Sequence, residues 1–288
     1  METFFQLLVN GISFGAIYAM VAVGLTIVFG ILEVVNFAQG EFYMLGAYLT
    51  FLVMLTQLPY PIGILAAIVV LIALGLVVER CAIRPLIGKA WQLPILSTLG
   101  VSIIMQNGAI VLWSPNPRTI IIETASKGIN VFGVVITYQR LIIILLALTV
   151  FISLHYFIQR TKTGKAMRAV SQNKEACQVI GIDIARISTI TFALGSGLSG
   201  LGGAIVAPIM AIHPVMGILV VIKCFAAVIM GGFGNIQGTI LASFILAIVE
   251  SFSVAYVSLQ YKDVFAFVVM IIILLFRPHG IFGKKVGI

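Results

Sequence analysis

The sequence predicts an all-α polytopic membrane protein with about eight transmembrane helices, and two observations lead to this fold class. First, 61% of the 288 residues are hydrophobic and only 9% are charged, and the mean hydropathy is +1.19. Soluble domains carry about 25% charged residues, so a soluble core could not bury this much apolar surface. Second, apolar runs long enough to cross a bilayer, roughly 20 residues, recur along the chain. We therefore expect residues 1–288 to form a single transmembrane domain.

Nine apolar runs follow one another along the chain. They fall at residues 4–32, 42–57, 61–79, 93–113, 141–159, 188–210, 216–233, 238–257 and 264–277. The second run, 42–57, is short, and Gly40 and Gly46 lie at its start. Because glycine lets the backbone turn, this run is either a full span or a re-entrant or broken helix. The expected number of transmembrane helices is therefore about eight or nine.

The positions of lysine and arginine predict the orientation of the chain. Residues 80–90, 160–187 and 277–288 hold 12 of the 17 basic residues. Cytoplasmic loops are enriched in these side chains, so we place all three segments, including the C-terminus, in the cytoplasm. Because the basic residues are confined to short loops, the net charge of +8 indicates topology rather than binding of nucleic acid.

The 114–139 connection then faces the outside. Its strand-like pieces TIIIET and VFGVVIT, with Gly133 between apolar residues, predict a small external hairpin. The side on which the N-terminus lies stays open. Nine crossings place it outside, whereas eight crossings and a re-entrant 42–57 segment place it inside.

The longest cytoplasmic segment, 160–187, has helical spacing of its apolar residues. The pattern predicts one short amphipathic helix over 166–181, closed by Gly181. Such a helix either lies on anionic membrane lipid or docks on a soluble partner, with Arg168 and Glu175 at the rim of the contact. The tripeptide TGK at 163–165 lacks the upstream glycine and the following Ser or Thr of a phosphate-binding loop. If ATP drives this protein, we expect another chain to bind it.

Small residues recur at four-residue spacing in the 188–210 run. The clearest are Gly195, Gly197, Ser199 and Gly203. Small side chains let helix backbones approach closely in lipid, so these positions predict close contact between helices. A solute path along the same face is compatible with the pattern.

Polar residues interrupt the apolar sequence at two places. Glu33, Asn36, Gln39 and Glu41 stand between the first two runs, and the order Asn36, Gln39, Gly40 is loosely echoed by Asn235, Gln237 and Gly238. The echo predicts two related halves, each with a discontinuous helix, as in many transporters. The polar side chains would then line an enclosed translocation path or its cytoplasmic mouth. The alternatives are an ordinary solvated loop at the first place and a tight turn at the second.

Ionisable residues deep in apolar runs are the remaining candidates. Glu250, which we also assign to the path, either pairs with Lys223 or leaves Lys223 to extend towards the membrane surface. Glu33, Glu41 and Glu250 also keep open a secondary transporter that works alone, although no chain of ionisable residues crosses the membrane. The sequence has no paired catalytic cluster, and its three cysteines are too scattered for a disulfide framework or a metal site. We expect a protein that is not an enzyme and binds no cofactor or metal.

Five segments together resemble the inner-membrane permeases of bacterial ABC importers, specifically the high-affinity branched-chain amino acid permease family. They are GLTIVFGILEVVNFAQGEFYMLGAY (24–48), ERCAIRPL (79–86), TKTGKAMRAVSQNKEACQVIGID (161–183), FALGSGLSGLGGAI (192–205) and KCFAAVIMGGFGNIQGTILAS (223–243). The resemblance covers nearly the whole chain. One departure is Gln237, which stands where relatives commonly have proline.

The resemblance implies a permease that imports leucine, isoleucine or valine across the bacterial inner membrane. Sister permeases carry urea, short-chain amides or other neutral amino acids. It implies three kinds of partner: a second permease of similar fold, two ATP-binding subunits that use the ATP, and an external binding protein that docks in part on the 114–139 connection. It also implies that the helix in 160–187 couples ATPase and permease, and Glu175, Ala176 and Gly181 match the family's pattern there.

Overall fold

The computed structural model describes residues 2–131, 133–258 and 260–283, and these are mostly helical. The helices are α1 (Glu2–Leu32), α2 (Gln39–Leu55), α3 (Tyr60–Val78), α4 (Gln92–Trp113), α5 (Glu123–Ser126), α6 (Tyr138–Arg160), α7 (Lys162–Val170), α8 (Lys174–Val179), α9 (Ile184–Val206), α10 (Met216–Gly231), α11 (Ile236–Tyr256) and α12 (Lys262–Phe276). A π-helical turn, Glu79–Ile83, and a 3₁₀ turn, Arg84–Leu86, continue α3. The strands β1 (Gly128–Val131) and β2 (Val134–Thr137) form an antiparallel pair.

Each of the nine apolar runs becomes a helix. Within the described residues, six helices are long and apolar enough to span a membrane: α1, α3 with its continuing turns, α4, α6, α9 and α11. The chain is therefore a multi-pass, helical membrane protein. The other three apolar helices, α2, α10 and α12, have only 17, 16 and 15 residues.

Two helices, α1 and α9, form the centre of the molecule and cross each other there. Glycine permits the close approach of α1 to α11, because a Cβ on Gly11 would lie 2.8 Å from the Cα of Ile248. The small residues of α9 lie at similar contacts. A Cβ on Gly195 would lie 2.8 Å from Val28 of α1, and one on Gly197 would lie 3.0 Å from Ile72 of α3.

The tightest contact of α9 is with α2. A Cβ on Gly203 would collide with the carbonyl oxygen of Tyr43, and a Cβ on Gly46 would collide with that of Gly200. These helices therefore touch backbone to backbone. In lipid, where apolar side chains gain nothing from leaving one apolar medium for another, such close van der Waals contact is a main source of helix association.

The helix α2 starts inside the molecule rather than at its surface. The side-chain amide of Gln39, its first residue, lies 2.7 Å from the position of a Cβ on Gly24. Gly24 is eight residues before the end of α1, which corresponds to about 12 Å of helix. The non-helical residues 33–38 therefore run back into the molecule before α2 begins. Residues 33–38 and α2 together make one discontinuous span.

The helix α10 repeats this arrangement in the opposite direction. A Cβ on Gly217 would collide with the carbonyl oxygen of Gly40, and a Cβ on Gly40 would collide with that of Gly217, so the first turns of α2 and α10 meet. From this contact α2 runs towards the end of α4, where Tyr48 stacks on Trp113. The other end of α10 lies beside α11, where Gly231 touches Gly238.

The helices thus form two halves of inverted direction, α1 to α4 and α9 to α12. The first helix of each half packs against the third helix of the other, since α1 contacts α11 and α9 contacts α3. The counterpart of Gln39 and Gly40 is the pair Met216 and Gly217. The sequence echo pointed instead to Asn235, Gln237 and Gly238, and this was wrong because Asn235 is an N-cap: its Oδ1 accepts a hydrogen bond from the Gly238 N–H at 2.9 Å.

The segment 160–187 contains two short helices, which corrects the single helix expected over 166–181. Thr161 caps α7 by accepting from the Gly164 N–H at 3.0 Å, and Asn173 caps α8 by accepting from the Ala176 N–H at 2.9 Å. An Asn side chain that satisfies a free N–H favours a new helix start over continuation of the old one. The expected end at Gly181 is present, with φ of +83°, in the left-handed region that glycine tolerates.

A two-stranded hairpin lies within the 114–139 connection, but it does not use both predicted strand pieces. The piece TIIIET (119–124) is irregular and leads into α5, and Gly128–Val131 forms the first strand instead. Gly128 pairs with Thr137, and Gly133 takes φ of +84° at the turn. The N-terminal end of α1 lies on the hairpin, because the amide of Gln6 donates to the Val135 carbonyl at 3.0 Å and accepts from its N–H at 2.9 Å. The N-terminus and the 114–139 connection are therefore at the same end of the molecule.

Gly203→Ala tests the backbone contact between α9 and α2. The added methyl group has no room beside Tyr43, and overpacking of this kind destabilises by about 1–3 kcal/mol, so the purified chain should unfold several degrees lower in detergent. Gly100→Ala in α4 is the matched control, because its Cβ would meet nothing within 4 Å. Equal unfolding temperatures of the two variants would contradict the contact.

Candidate translocation site and coupling surface

The discontinuous span carries a buried polar cluster made of Asn36, Gln39 and their partners on α9. The Gln39 amide donates to the Gly195 carbonyl at 2.9 Å and to the Ser199 hydroxyl at 2.6 Å. Its oxygen accepts from the Asn36 amide at 2.9 Å, and the Asn36 oxygen accepts from the Ala38 N–H at 3.1 Å. The bond to the Ala38 N–H satisfies part of the broken backbone, and the Thr98 hydroxyl of α4 satisfies two more groups by accepting from the Phe37 N–H at 3.3 Å and donating to the Val35 carbonyl at 3.1 Å. A membrane interior requires such partners.

Glu41 adds a carboxyl group to the same place. Its side chain is buried, and one oxygen accepts a hydrogen bond from the Ser102 hydroxyl of α4 at 3.0 Å. The other oxygen has no hydrogen-bond partner among the described residues. Leaving a buried polar atom unpaired costs free energy, so such an atom calls for an explanation, and a passing solute is one.

The other residues assigned to the path lie elsewhere. Glu33 is exposed at the end of α1 and pairs with Lys174 at 2.9 Å. Asn235 caps α11 and donates to the Phe282 carbonyl at 3.2 Å, and Gln237 is exposed beside it. The structure therefore brings together Asn36, Gln39 and Glu41 and separates the other assigned residues from them.

Glu250 belongs to a buried charge cluster, together with Lys223, Asp263, Lys262 and Tyr18. The Lys223 ammonium lies 2.7 Å from a carboxylate oxygen of Glu250 and 2.7 Å from one of Asp263. Lys262 lies 3.6 Å from Glu250, and the Tyr18 hydroxyl donates a hydrogen bond to the Glu250 carboxylate at 3.1 Å. The pairing of Lys223 with Glu250, which the sequence left open, is thus formed. Two acids and two bases cancel, which makes their burial tolerable.

Sequence reasoning missed a third buried carboxylate, Glu79. Arg84 donates to it through Nε at 3.2 Å and Nη2 at 3.0 Å, and the Ser188 hydroxyl of α9 donates at 2.8 Å. The spacing of Glu79 and Arg84 in the ERCAIRPL segment gave no signal, since residues five apart are not neighbours on an α-helix, and it is the π-helical turn that brings them together. The bonds fasten the end of α3 to the start of α9.

The helix α8 presents an exposed, partly apolar surface. Glu175 and Ala176 are exposed, and Val179 and Ile180 are 87% and 72% exposed, whereas Cys177 points inward and is buried. We call Glu175, Ala176, Val179, Ile180 and Gly181 the α8 surface. Adjacent exposed aliphatic side chains, here Val179 and Ile180 at the end of α8, are typical of an interface with another protein.

Two basic residues attach this segment to the membrane helices. Lys174 donates to the Leu32 carbonyl at 3.2 Å as well as to Glu33, so it holds α8 against the end of α1. Arg168, expected at the rim of a docking surface, is half-buried and donates to the Ile158 carbonyl of α6. Cations suit both places, because the carbonyl end of a helix carries partial negative charge.

These features define the class of the protein. Two half-helices of opposite direction that meet inside a helical membrane protein are typical of solute transporters. The comparison with known proteins is more specific: the chain belongs to the family described as branched-chain amino acid transport system / permease component, whose model matches residues 7–274.

Named relatives match over nearly their whole length. The chain is 37% identical to the high-affinity branched-chain amino acid transport system permease protein BraD of Pseudomonas aeruginosa and 32% identical to LivH of Escherichia coli K12, covering 98% of this chain and 96% of each relative. It is 30% identical to the probable branched-chain amino acid transport permease protein LivH of Methanocaldococcus jannaschii, over 96% and 92%. No solved structure matches the chain.

Lys223→Met tests the buried charge cluster. It removes one base and leaves the buried Glu250 and the half-buried Asp263 without it, and breaking a buried ion pair costs about 3–5 kcal/mol, so thermal unfolding in detergent should occur at a markedly lower temperature. Lys127→Met is the matched control, since its pair with Glu123 is exposed and such pairs are worth about 0–1 kcal/mol. The cluster would have no structural role if both variants unfolded alike.

Proposed function

We propose that this chain is the membrane-spanning permease subunit of an ATP-binding-cassette importer that carries leucine, isoleucine and valine across the cytoplasmic membrane. The observation that carries this proposal is the family match over residues 7–274, together with relatives named as branched-chain amino acid permeases. The chain itself performs no chemistry. ATP is bound and hydrolysed by separate subunits.

The topology we propose has nine crossings, with the N-terminus and the hairpin outside. An odd number follows if 33–38 and α2 form one crossing and 207–215 and α10 form another. The contact of Gln6 with Val135 supports a common side for the N-terminus and the hairpin. The basic segments 80–90 and 160–187 and the C-terminus then lie in the cytoplasm, as the distribution of lysine and arginine predicts.

The α8 surface is where we place the ATP-binding subunit. Closure of the ATPase moves α8, and two connections pass the movement on. Lys174 joins α8 to the end of α1, and Asp183, the N-cap of α9, follows directly after α8. A movement of α8 therefore displaces both central helices, α1 and α9.

The contact between the two half-helices is the closed point of the path in our proposal. Asn36, Gln39 and Glu41 lie there, and the backbones of Gly40 and Gly217 touch, so solute cannot pass without separation of α2 and α10. Glu33 lies at the cytoplasmic mouth.

Two outer surfaces receive the remaining partners. Among the six long apolar helices, α4 and α6 are the least covered by the rest of the chain, which leaves faces for lipid and for a second permease. The 114–139 connection, with the hairpin, is the surface we assign to the external binding protein.

Cysteine labelling tests the topology. In a Cys81→Ser background, which removes the exposed cysteine and leaves two that are buried, we expect a membrane-impermeant maleimide to label Ser126→Cys in intact cells and Ser171→Cys only after permeabilisation. Both introduced cysteines lie at exposed positions, so labelling depends only on the side of the membrane on which each one lies. Labelling of Ser171→Cys in intact cells would invert the proposed orientation.

Ile180→Asp tests the α8 surface. A carboxylate at this exposed apolar position should reduce co-purification of the ATP-binding subunits and ATP-driven uptake of leucine at least tenfold, because a charge in a desolvated interface is expensive. Ile121→Asp makes the same change at a 91% exposed position in the 114–139 connection and should leave ATPase co-purification intact. If Ile180→Asp behaved like this control in the co-purification assay, the coupling assignment would fail.

A further inference from the structure

We propose that a cavity between the end of α3 and the start of α9 binds the phosphate headgroup of an anionic phospholipid. The cavity has a volume of about 340 Å³, and Arg80, Arg84 and Arg186 line it together with Glu79, Asp183 and Leu76. Guanidinium groups bind phosphate through paired hydrogen bonds, and basic pockets between transmembrane helices on the cytoplasmic side bind lipid headgroups.

The charges of the cavity leave two guanidinium groups free. Glu79 is committed to Arg84 and Ser188, and Asp183 caps α9 by accepting from the Arg186 N–H at 3.0 Å. Neither Arg80 nor Arg186 makes an ion pair with any residue that the structure describes, and both are exposed at the surface. Three bases and two acids leave one net positive charge, which one phosphodiester neutralises.

The neighbouring surface selects a lipid over a soluble anion. On α3, Val69 and Val77 are 65% and 58% exposed, and their spacing places them on the same face of the helix as Arg80. The rise from Val69 to Arg80 is about 16 Å, close to the thickness of one leaflet of the hydrocarbon core, roughly 15 Å. An acyl chain along this exposed apolar face would end with its headgroup at the three arginines.

The π-helical turn Glu79–Ile83 places these side chains. It redirects the backbone after α3, so that Glu79 faces α9 and is buried, while Arg80 faces outward and lines the cavity. A bound headgroup would bridge α3 and α9 next to Asp183, at the root of the coupling segment. Only the choice of the cytoplasmic leaflet rests on the proposed function, and the binding measurement below does not depend on it.

Native mass spectrometry of the full chain, purified with its co-expressed partners, tests the proposal. Phosphatidylglycerol is titrated into the detergent-solubilised complex, with phosphatidylcholine as the neutral lipid. We expect the double variant Arg80→Gln, Arg186→Gln to lower the apparent affinity for phosphatidylglycerol about 30-fold and to leave phosphatidylcholine binding unchanged. The control Lys162→Gln, Lys165→Gln removes the same charge from the exposed face of α7 and should bind as the unmodified chain does.

A variant with one substitution serves as a second test in case the double variant fails to fold. Among the described residues, the Arg80 side chain makes no hydrogen bond, so Arg80→Gln alone breaks none. We expect it to lower the apparent affinity for phosphatidylglycerol about fivefold. Equal binding by the arginine variants and the lysine control would overturn the site. Displacement of the lipid by millimolar inorganic phosphate would identify a site for free anions instead. Reduced co-purification of the ATP-binding subunits with unchanged lipid binding would assign the arginines to an acidic protein partner.

Discussion

The fold depends on how a broken span is satisfied inside the membrane. Residues 33–38 bring backbone groups into the molecule, and side chains supply their partners: Asn36 accepts from the Ala38 N–H, and the Thr98 hydroxyl accepts from the Phe37 N–H and donates to the Val35 carbonyl. The Gln39 amide, which accepts from Asn36, reaches the Gly195 carbonyl and Ser199 and so fixes α2 to α9. Gly24 of α1 then follows as a requirement, because a Cβ there would lie 2.7 Å from the nitrogen of this amide. Gly195 of α9 is required by the neighbouring contact, since its Cβ would lie 2.8 Å from Val28.

This arrangement links the transport site to the coupling surface through short connections. Gln39 lies between α1 and α9, and these two helices reach the end of the molecule that carries α8. A displacement of α8 therefore acts on the two walls that enclose the polar cluster. Since interfaces with backbone contact tolerate little continuous deformation, a switch between discrete arrangements is the expected response.

Sequence patterns were sufficient where a local rule decides the structure. Hydrophobic length located the nine apolar helices, glycine at 133 and 181 marked the hairpin turn and the end of α8, and the small residues of α9 lie at helix contacts. Sequence patterns failed where one residue type, asparagine, serves more than one purpose. Asn235 looked like a transport residue and is a helix cap, and Asn173 divided an amphipathic pattern that reads as one helix. The sequence offered Lys223 as a partner of Glu250 but did not indicate Tyr18, Lys262 or the second acid, Asp263, because these residues are brought to the pair only by the fold.

The buried carboxylates suggest which parts move together. Glu79, at the end of α3, accepts from Ser188 of α9, and Glu250, in α11, accepts from Tyr18 of α1. In each case the third helix of one half is fixed to the first helix of the other, with Arg84 or Lys223 as the cation. The pairs α3–α9 and α1–α11 are therefore each held by a charge-assisted bond that is costly to break in a medium of low dielectric constant. Among the described residues, no ion pair joins α2 to α10, and their closest contact is between the backbones of Gly40 and Gly217, so it is the contact at which the two pairs can separate with the least loss.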